Sequence, residues 1–193
     1  MRNDQVYKAA EVIKSGGVVV YPTETVYGLG ASIWNESAVR RVFEIKKRLI
    51  AEPISVAVSD YKMLRSVAYL PAEVEGFVRR FLPGPVTVIL KKKESVPEIL
   101  TAGSDLVGVR LPDHKLAQKI IRNAGPITST SANVSGQKSP VSADEVSVAA
   151  DLTVDGGRCK FAIESTVVDL VNKKILRAGA LYEEVRRELE NLK

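Results

Sequence analysis

The sequence has little of the chemistry that most metal centres and nucleophilic sites need. Its 193 residues include one cysteine, Cys159, and one histidine, His114. One cysteine allows no internal disulfide and no cysteine-built metal site, and one histidine cannot form a histidine cluster. These absences argue against zinc chemistry and against a Ser-His-Asp triad. We interpret His114 as a surface residue in the first turn of a helix.

Long apolar runs and aromatic residues are also scarce. No apolar run approaches the roughly 20 residues needed to span a bilayer, and the polar start of the chain does not resemble a signal peptide. We therefore expect a cytoplasmic protein with no membrane partner. Aromatic residues make up 6% of the chain, and the formal net charge is +5. That charge favours anionic partners, and both nucleotides and RNA qualify.

Strand-like and helix-like patterns alternate along the chain without a linker-like break. They predict one α/β domain over residues 1–193, with an open, twisted, mostly mixed β-sheet flanked by helices. Asn172-Lys173 between two strand-like runs predicts a hairpin. The predicted helices are 4–14, 36–47, 61–67, 72–81, 115–123, 143–150 and 181–192. The predicted strands are 18–21, 54–58, 86–90, 107–111, 127–131, 152–154, 166–171 and 175–176.

Residues 17–32, GVVVYPTETVYGLGAS, form the most informative single stretch. Its three consecutive valines, residues 18–20, predict a strand that is buried on both faces. The polar loop that follows contains Thr25, and we expect Gly28 and Gly30 to give it backbone angles that other residues avoid. Such loops at strand ends are common ligand sites in α/β proteins, although an ordinary connection to a helix also fits this stretch.

Two further stretches carry polar groups at the ends of predicted elements. Lys46 and Arg48 lie at the end of a predicted helix, just before a strand. Residues 126–140, PITSTSANVSGQKSP, pass from a strand into hydroxyl groups and Asn133. Such a loop can offer donors to phosphate oxygens, although hydroxyl-rich loops are also common turns. We interpret a third polar stretch, the lysine run 91–93, as solvated surface.

Taken in order, these stretches resemble one enzyme family. PTETVYGLG, KKR followed by PISVAV, FLPGPVTVIL, VGVRLP, STSANVSG, ESTVVDL and ILRAG are similar to the collinear motifs of threonylcarbamoyl-AMP synthases. The resemblance implies the YrdC-like fold and the conversion of L-threonine, bicarbonate and ATP into threonylcarbamoyl-adenylate and pyrophosphate. Mg²⁺ is expected with ATP. Because the chain ends soon after ILRAG, we expect the single-domain form.

The resemblance also implies partners. The product would supply threonylcarbamoyladenosine in tRNA through a downstream threonylcarbamoyl-transferase complex. We keep tRNA, or double-stranded RNA, as a further candidate partner of this chain.

Family motifs assign five residues to the nucleotide. Lys46 and Arg48 match a Lys-x-Arg motif, and Ser131 and Asn133 match a Ser-x-Asn motif, both of which are associated with nucleotide binding. Arg177 matches an arginine that contacts ATP. A triphosphate needs clustered positive charge, and we expect Lys46 and Arg48 to be the catalytic cations. No residue is predicted to bind a metal directly.

Three other residues match family positions that hold threonine: Thr25, Arg110 and Ser165. A guanidinium can bind a carboxylate through two parallel hydrogen bonds, which suits Arg110 to the threonine carboxylate. The chain also departs from the usual family pattern at four positions, Leu49, Glu52, Ala57 and Ala178. At these positions the resemblance does not determine the individual substrate contacts.

Two alternatives remain open from the sequence. An RNA-binding module without catalysis would explain the positive charge, but it would not explain the threonine- and serine-rich loops, and an RNA-recognition aromatic motif is absent. A related enzyme that forms carbamoyl-adenylate from carbamoyl phosphate would keep the fold and the adenylation step. It would have no need for a threonine site.

Overall fold

Seven α-helices and nine strands alternate along residues 2–192, the part of the chain that the computed structural model describes. Every helix in this range is too short or too polar to span a lipid bilayer. The helices are α1 (Arg2–Lys14), α2 (Glu36–Lys46), α3 (Tyr61–Val67), α4 (Ala72–Phe81), α5 (Glu98–Thr101), α6 (Lys115–Ala124) and α7 (Tyr182–Glu190).

The strands form one nine-stranded sheet in the order β7-β1-β2-β6-β3-β5-β4-β8-β9. Three neighbouring pairs (β1 with β7, β3 with β5, and β4 with β8) are parallel, and the other five are antiparallel. The predicted mixed sheet is therefore confirmed. The strands are β1 (Val19–Tyr21), β2 (Gly28–Gly30), β3 (Ser55–Ala57), β4 (Val86–Lys91), β5 (Leu106–Arg110), β6 (Ile127–Ser131), β7 (Leu152–Thr153), β8 (Thr166–Asp169) and β9 (Lys174–Arg177).

The two faces of this sheet differ because side chains alternate along each strand. On one face, large apolar residues such as Val88, Val109 and Val168 pack with helices α2, α3, α4 and α7 in the main core. On the other face, α1 and α6 pack on each other and on Tyr21 and Ile127. Farther along this second face, many of the strand residues are small or polar, and there the sheet forms a cavity wall.

The prediction of a helix over 143–150 is wrong. Only a single 3-10 turn, Ala143–Glu145, forms there. Beyond it, every second residue packs against the main core: Val146, Val148 and Ala150. This spacing of two residues is typical of an extended chain and not of a helix. Strand β2 and the short helix α5 were not predicted.

Gly28 and Gly30 have a different role from the one predicted. They lie in strand β2, and neither has a positive φ angle. A Cβ atom on Gly28 would lie 2.7 Å from the Tyr21 ring, and one on Gly30 would lie 2.8 Å from Ile127. These glycines therefore allow close packing of the Tyr21 ring.

His114 and the lysine run 91–93 are also less exposed than predicted. We predicted His114 as a surface residue in the first turn of a helix, but it is the N-cap of α6 and is half-buried. Its Nδ1 accepts a hydrogen bond from the backbone of Ala117 at 3.5 Å. In the lysine run only Lys91 is exposed. Lys92 donates to a backbone oxygen at 3.2 Å, and Lys93 lies 3.4 Å from the centre of the Tyr69 ring.

Candidate active site

A cavity of about 470 Å³ lies on the sheet face beyond α1 and α6. Neighbouring strands place many small or polar side chains on this face, together with the apolar Ile89 and Val167, and the sheet forms the floor of the cavity. A Cβ atom on Gly108 would lie 2.4 Å from the hydroxyl of Ser55, so a larger residue at position 108 would require Ser55 to shift. Floor residues include Gly28, Ser55, Thr87, Gly108, Ser129 and Asp169.

Three arginines, Arg48, Arg110 and Arg177, line this one cavity. Two carboxylates, Glu164 and Asp169, also line it, but Asp169 accepts hydrogen bonds from two backbone groups and the side chain of Asn172. Desolvation lowers the pKa of Arg177, and the nearby Arg110 and Arg48 cations lower it further, although Glu164 opposes them. The arginines therefore repel one another, and an anion in the cavity would relieve that repulsion.

The end of helix α2 determines where Arg48 lies. Lys47 adopts a left-handed conformation at φ 49°, and the backbone N–H groups of Lys47 and Arg48 donate to Glu44 and Phe43 at 3.0 Å. This pattern is a Schellman motif, which ends the helix and turns the chain sharply. Arg48 then lines the cavity and donates to the backbone of residue 53 at 3.0 Å.

Glu52 does not face phosphate as an isolated negative charge. One of its carboxylate oxygens lies 3.3 Å from Nε of Arg48, and half of the Glu52 side chain is exposed. Glu52 therefore neutralises part of the Arg48 charge at the cavity edge. Ala57, another departure from the family pattern, is buried between the sheet and helices α1 and α6.

Lys46 is buried beside the cavity and holds the loop that follows β6. Its Nζ donates to the backbone oxygens of Ser131 at 2.6 Å and Asn133 at 2.8 Å, and lies 3.3 Å from Oδ1 of Asn133. Burial and, to a smaller extent, the nearby Arg48 charge together lower the pKa of Lys46 to about 8. All three ammonium protons therefore have acceptors within the protein.

Asn133 is buried inside this loop and does not line the cavity. Its side-chain nitrogen donates to the backbone oxygen of Gln137 at 2.6 Å, which closes the turn. We expected a loop side chain facing a ligand. The structure instead gives Asn133 contacts that stabilise the loop.

Ser165 and Arg177 are in direct contact, although the sequence assigned them to different substrates. Arg177 donates to the backbone oxygen of Ser165 at 2.9 and 3.1 Å and to its hydroxyl at 3.0 Å. That hydroxyl also lies 2.8 Å from the hydroxyl of Thr87. The predicted threonine and ATP sites therefore adjoin at this point.

Thr25 and Arg110 form a hydrogen-bond chain with a defined direction. Nη2 of Arg110 donates to the Thr25 hydroxyl at 2.6 Å, and that hydroxyl lies 2.9 Å from the Thr23 hydroxyl. Because Thr23 donates its own proton to the backbone of Val26 at 2.6 Å, Thr25 must be the donor to Thr23. Thr25 therefore fixes Arg110 and has no proton left for a ligand.

Five of the eight predicted site residues line the cavity: Arg48, Ser131, Arg177, Arg110 and Ser165. The other three, Lys46, Asn133 and Thr25, are buried in its wall and contact lining residues or their loop.

Sequence reasoning missed Tyr21, Thr87, Ser129 and Glu164, which also line the cavity. A signal was present for Thr87, because a polar residue lies between two valines at the start of VTVIL.

This chain is similar in sequence to several known proteins. A family profile described as "Telomere recombination" and named for Sua5, YciO and YrdC matches residues 11–179. Threonylcarbamoyl-AMP synthase of Pyrococcus abyssi is 40% identical over 194 residues, a match that covers 96% of this chain and 57% of that protein. The Bacillus subtilis enzyme of the same name is 38% identical over 191 residues, covering 93% of this chain and 55% of that protein.

Solved structures of the same family have a similar fold. The crystal structure of P. abyssi Sua5 complexed with L-threonine has a TM-score of 0.89 at 40% identity, covering 94% of this chain and 56% of that one. Escherichia coli YciO has a TM-score of 0.80 at 25% identity, covering 93% and 91%. The chain thus spans little more than half the length of the P. abyssi and B. subtilis relatives. From the profile and these identities, the chain belongs to the Sua5/YciO/YrdC family.

Proposed function

We propose that this chain is a threonylcarbamoyl-AMP synthase that uses L-threonine, bicarbonate and ATP. The observation that carries the proposal is the convergence of Arg48, Arg110 and Arg177 on one cavity. Both organic substrates are anionic where they must be held, a carboxylate on threonine and a triphosphate on ATP. Guanidinium groups suit both because they form paired, charge-assisted hydrogen bonds with carboxylates and phosphates.

The reaction divides the cavity into two adjoining parts. Arg110, held by Thr25, lies in the part that we assign to the threonine carboxylate. Arg48 and Ser131 lie in the part that we assign to the nucleotide, and Lys46 supports it from behind. Arg177 and Ser165 contact each other, so they can hold both substrates in one geometry.

The chemistry uses three substrates, threonine, bicarbonate and ATP, and needs no covalent enzyme intermediate. The threonine amine and bicarbonate form a carbamate with loss of water. A carbamate oxygen then attacks the α-phosphorus of ATP, a new phosphorus–oxygen bond forms, and the bond to the leaving pyrophosphate breaks. The protein's contribution is to place the carbamate against the phosphorus and to stabilise charge on the phosphates with Arg48 and Arg177.

Magnesium fits the site as a companion of ATP. Within residues 2–192, no three His, Cys, Asp or Glu side chains converge as a metal site. Mg²⁺ usually keeps several waters and binds through substrate phosphates and one or two carboxylates. Glu164 is the lining carboxylate that could contribute, although one of its oxygens accepts from Ser139 at 2.7 Å. Bound Mg²⁺ would supply charge neutralisation on the phosphates.

We place the enzyme in the cytoplasm, upstream of a transferase complex that moves the threonylcarbamoyl group to tRNA. An RNA-binding module remains the alternative from another class, and a carbamoyl-phosphate-dependent enzyme the alternative on the same fold.

A measurement of pyrophosphate release distinguishes the proposed function from the two alternatives. Purified protein is incubated with ATP, Mg²⁺ and bicarbonate, to which threonine, serine, carbamoyl phosphate or nothing is added. A further mixture contains threonine but no added bicarbonate. The proposal predicts release that depends on threonine and on bicarbonate. Release only with carbamoyl phosphate supports the carbamoyl-adenylate enzyme, and no release in any mixture supports the binding module.

A further inference from the structure

Glu24 is a buried carboxylate without an evident structural reason to be there. Its side chain is 4% exposed, and neither carboxylate oxygen has a hydrogen-bond partner within the described part of the chain. Most buried polar side-chain atoms in proteins have at least one such partner, so an exception calls for an explanation.

Within the described part of the chain, this carboxylate forms its ion pair with Arg110. Nη2 of Arg110 lies 3.1 Å from a Glu24 oxygen, and both side chains are at most 7% exposed. The same Nη2 donates to Thr25 at 2.6 Å, whereas Nε of Arg110 is buried and unpaired. Glu24 and Thr25 therefore hold the guanidinium at a single nitrogen and leave its other hydrogen-bonding capacity unused.

A contribution to folding stability does not explain well why Glu24 and Arg110 are buried together. Burying two charges costs desolvation free energy, which a buried ion pair recovers only when its geometry is good and its remaining polar atoms are satisfied. Here three polar atoms of the pair lack hydrogen bonds. Two well-packed apolar residues would serve the fold at least as well.

The positions of the two residues point to a role in binding. Arg110 lines the cavity, whereas Glu24 does not, so Glu24 can act on a ligand only through Arg110. Glu24 follows Thr23 and precedes Thr25, and both of these belong to the hydroxyl chain that ends on the Val26 backbone. One rigid turn thus anchors the guanidinium from two directions.

We propose that Glu24 is a positioning residue for carboxylate recognition. It holds the Arg110 guanidinium in the orientation that binds the α-carboxylate of the amino-acid substrate, so that the arginine is ordered before the ligand arrives. This inference rests on the proposed function for the identity of the ligand. Pre-ordering strengthens binding because less conformational freedom is lost when the ligand binds.

Isothermal titration of threonine and, separately, of ATP tests this role in Glu24→Gln, which removes the charge and keeps the shape. We expect threonine affinity to fall about tenfold or more and ATP affinity to change less than about twofold. Glu24→Asp, which keeps the charge on a shorter side chain, should recover part of the loss. Glu183→Gln, at an exposed ion pair with Arg186, is the matched control and should bind both ligands normally.

A double-mutant cycle with Arg110→Lys decides whether Glu24 acts through Arg110. We expect Glu24→Gln to weaken threonine binding less than about twofold further in the Arg110→Lys background. Equal effects in both backgrounds, or unchanged threonine affinity in folded Glu24→Gln, would overturn the inference. If Glu24→Gln does not fold, Glu24→Asp with normal threonine affinity overturns it equally. A wild-type protein that binds no threonine would instead refute the proposed function, and the inference with it.

Discussion

The ammonium group of Lys46 contacts both the backbone oxygen and the side-chain oxygen of Asn133, at 2.8 and 3.3 Å. These contacts join the end of helix α2 to the loop after β6, two segments that are distant in sequence. Lysine often binds phosphate directly, but Lys46 fixes the shape of this loop. The loop lines the part of the cavity that we assign to the nucleotide.

ATP binding should weaken as the pH rises through about 8, because burial lowers the pKa of Lys46 to about 8. Above that pH Lys46 loses its charge, and a neutral amine has two protons for three acceptors. Lys46→Arg stays charged throughout this range, so its ATP affinity should not show that decline. The measurement is calorimetric ATP titration from pH 7 to about 9, with exposed Lys62→Arg as control. The same decline in Lys46→Arg as in the wild type would show that Lys46 does not cause it.

Arg110→Lys should weaken threonine binding by about 1–3 kcal/mol and leave ATP binding nearly constant, because lysine cannot reproduce a planar two-point contact with a carboxylate. Separate titrations with each ligand measure the difference. An RNA-binding module would tolerate the exchange, since phosphate contacts accept either cation. Equal losses for both ligands would instead place Arg110 on the nucleotide.

Gly28→Ala should lower the free energy of unfolding by about 1–3 kcal/mol, since the added methyl group overlaps the Tyr21 ring. Gly76→Ala is the matched control: nothing lies within 4 Å of its added Cβ, and the residue lies inside helix α4. There the change should be stabilising by about 0.5–1 kcal/mol. Urea unfolding measures both. Equal effects of the two variants would mean that Tyr21 does not pack on Gly28 as described.

Lys47→Gly should raise the free energy of unfolding by about 1 kcal/mol, because Lys47 has a left-handed backbone that glycine adopts without strain. That corresponds to a rise of roughly 2–4 °C in the melting temperature. Ala102→Gly, at another left-handed cap, should act in the same direction. Lys47→Val should destabilise the protein. A stabilising valine would contradict the assigned backbone conformation.

Much of the fold could be predicted from local pattern. The mixed sheet, the hairpin at residue 173 and six helices follow from apolar periodicity and from turn residues. Strand β2 was missed because GLG has no side-chain pattern typical of a strand, and the glycines are explained by the Tyr21 and Ile127 side chains that pack against them. The segment after Ala143 was misread because its buried residues alternate, while its composition favours a helix.

The residues of the site could be predicted, but not which of them line the cavity and which are buried behind it. The sequence motifs identified Arg48, Arg110 and Arg177, which line the cavity. They could not show that Lys46 is buried, because its burial depends on acceptors in a loop 85 residues away. Glu24 was missed for a similar reason: it lies in the loop between β1 and β2, and its partner, Arg110, lies at the end of β5, far away in sequence.

The measurement that tests the central claim most directly is identification of the product. The protein is incubated with ATP, Mg²⁺, L-threonine and ¹³C-labelled bicarbonate, and the mixture is separated quickly and analysed by mass spectrometry. We predict a compound with the mass of threonylcarbamoyl-adenylate that contains the heavy carbon and that disappears when threonine is omitted. Consumption of ATP without such a compound, or an adenylate that carries no threonine, would contradict the account.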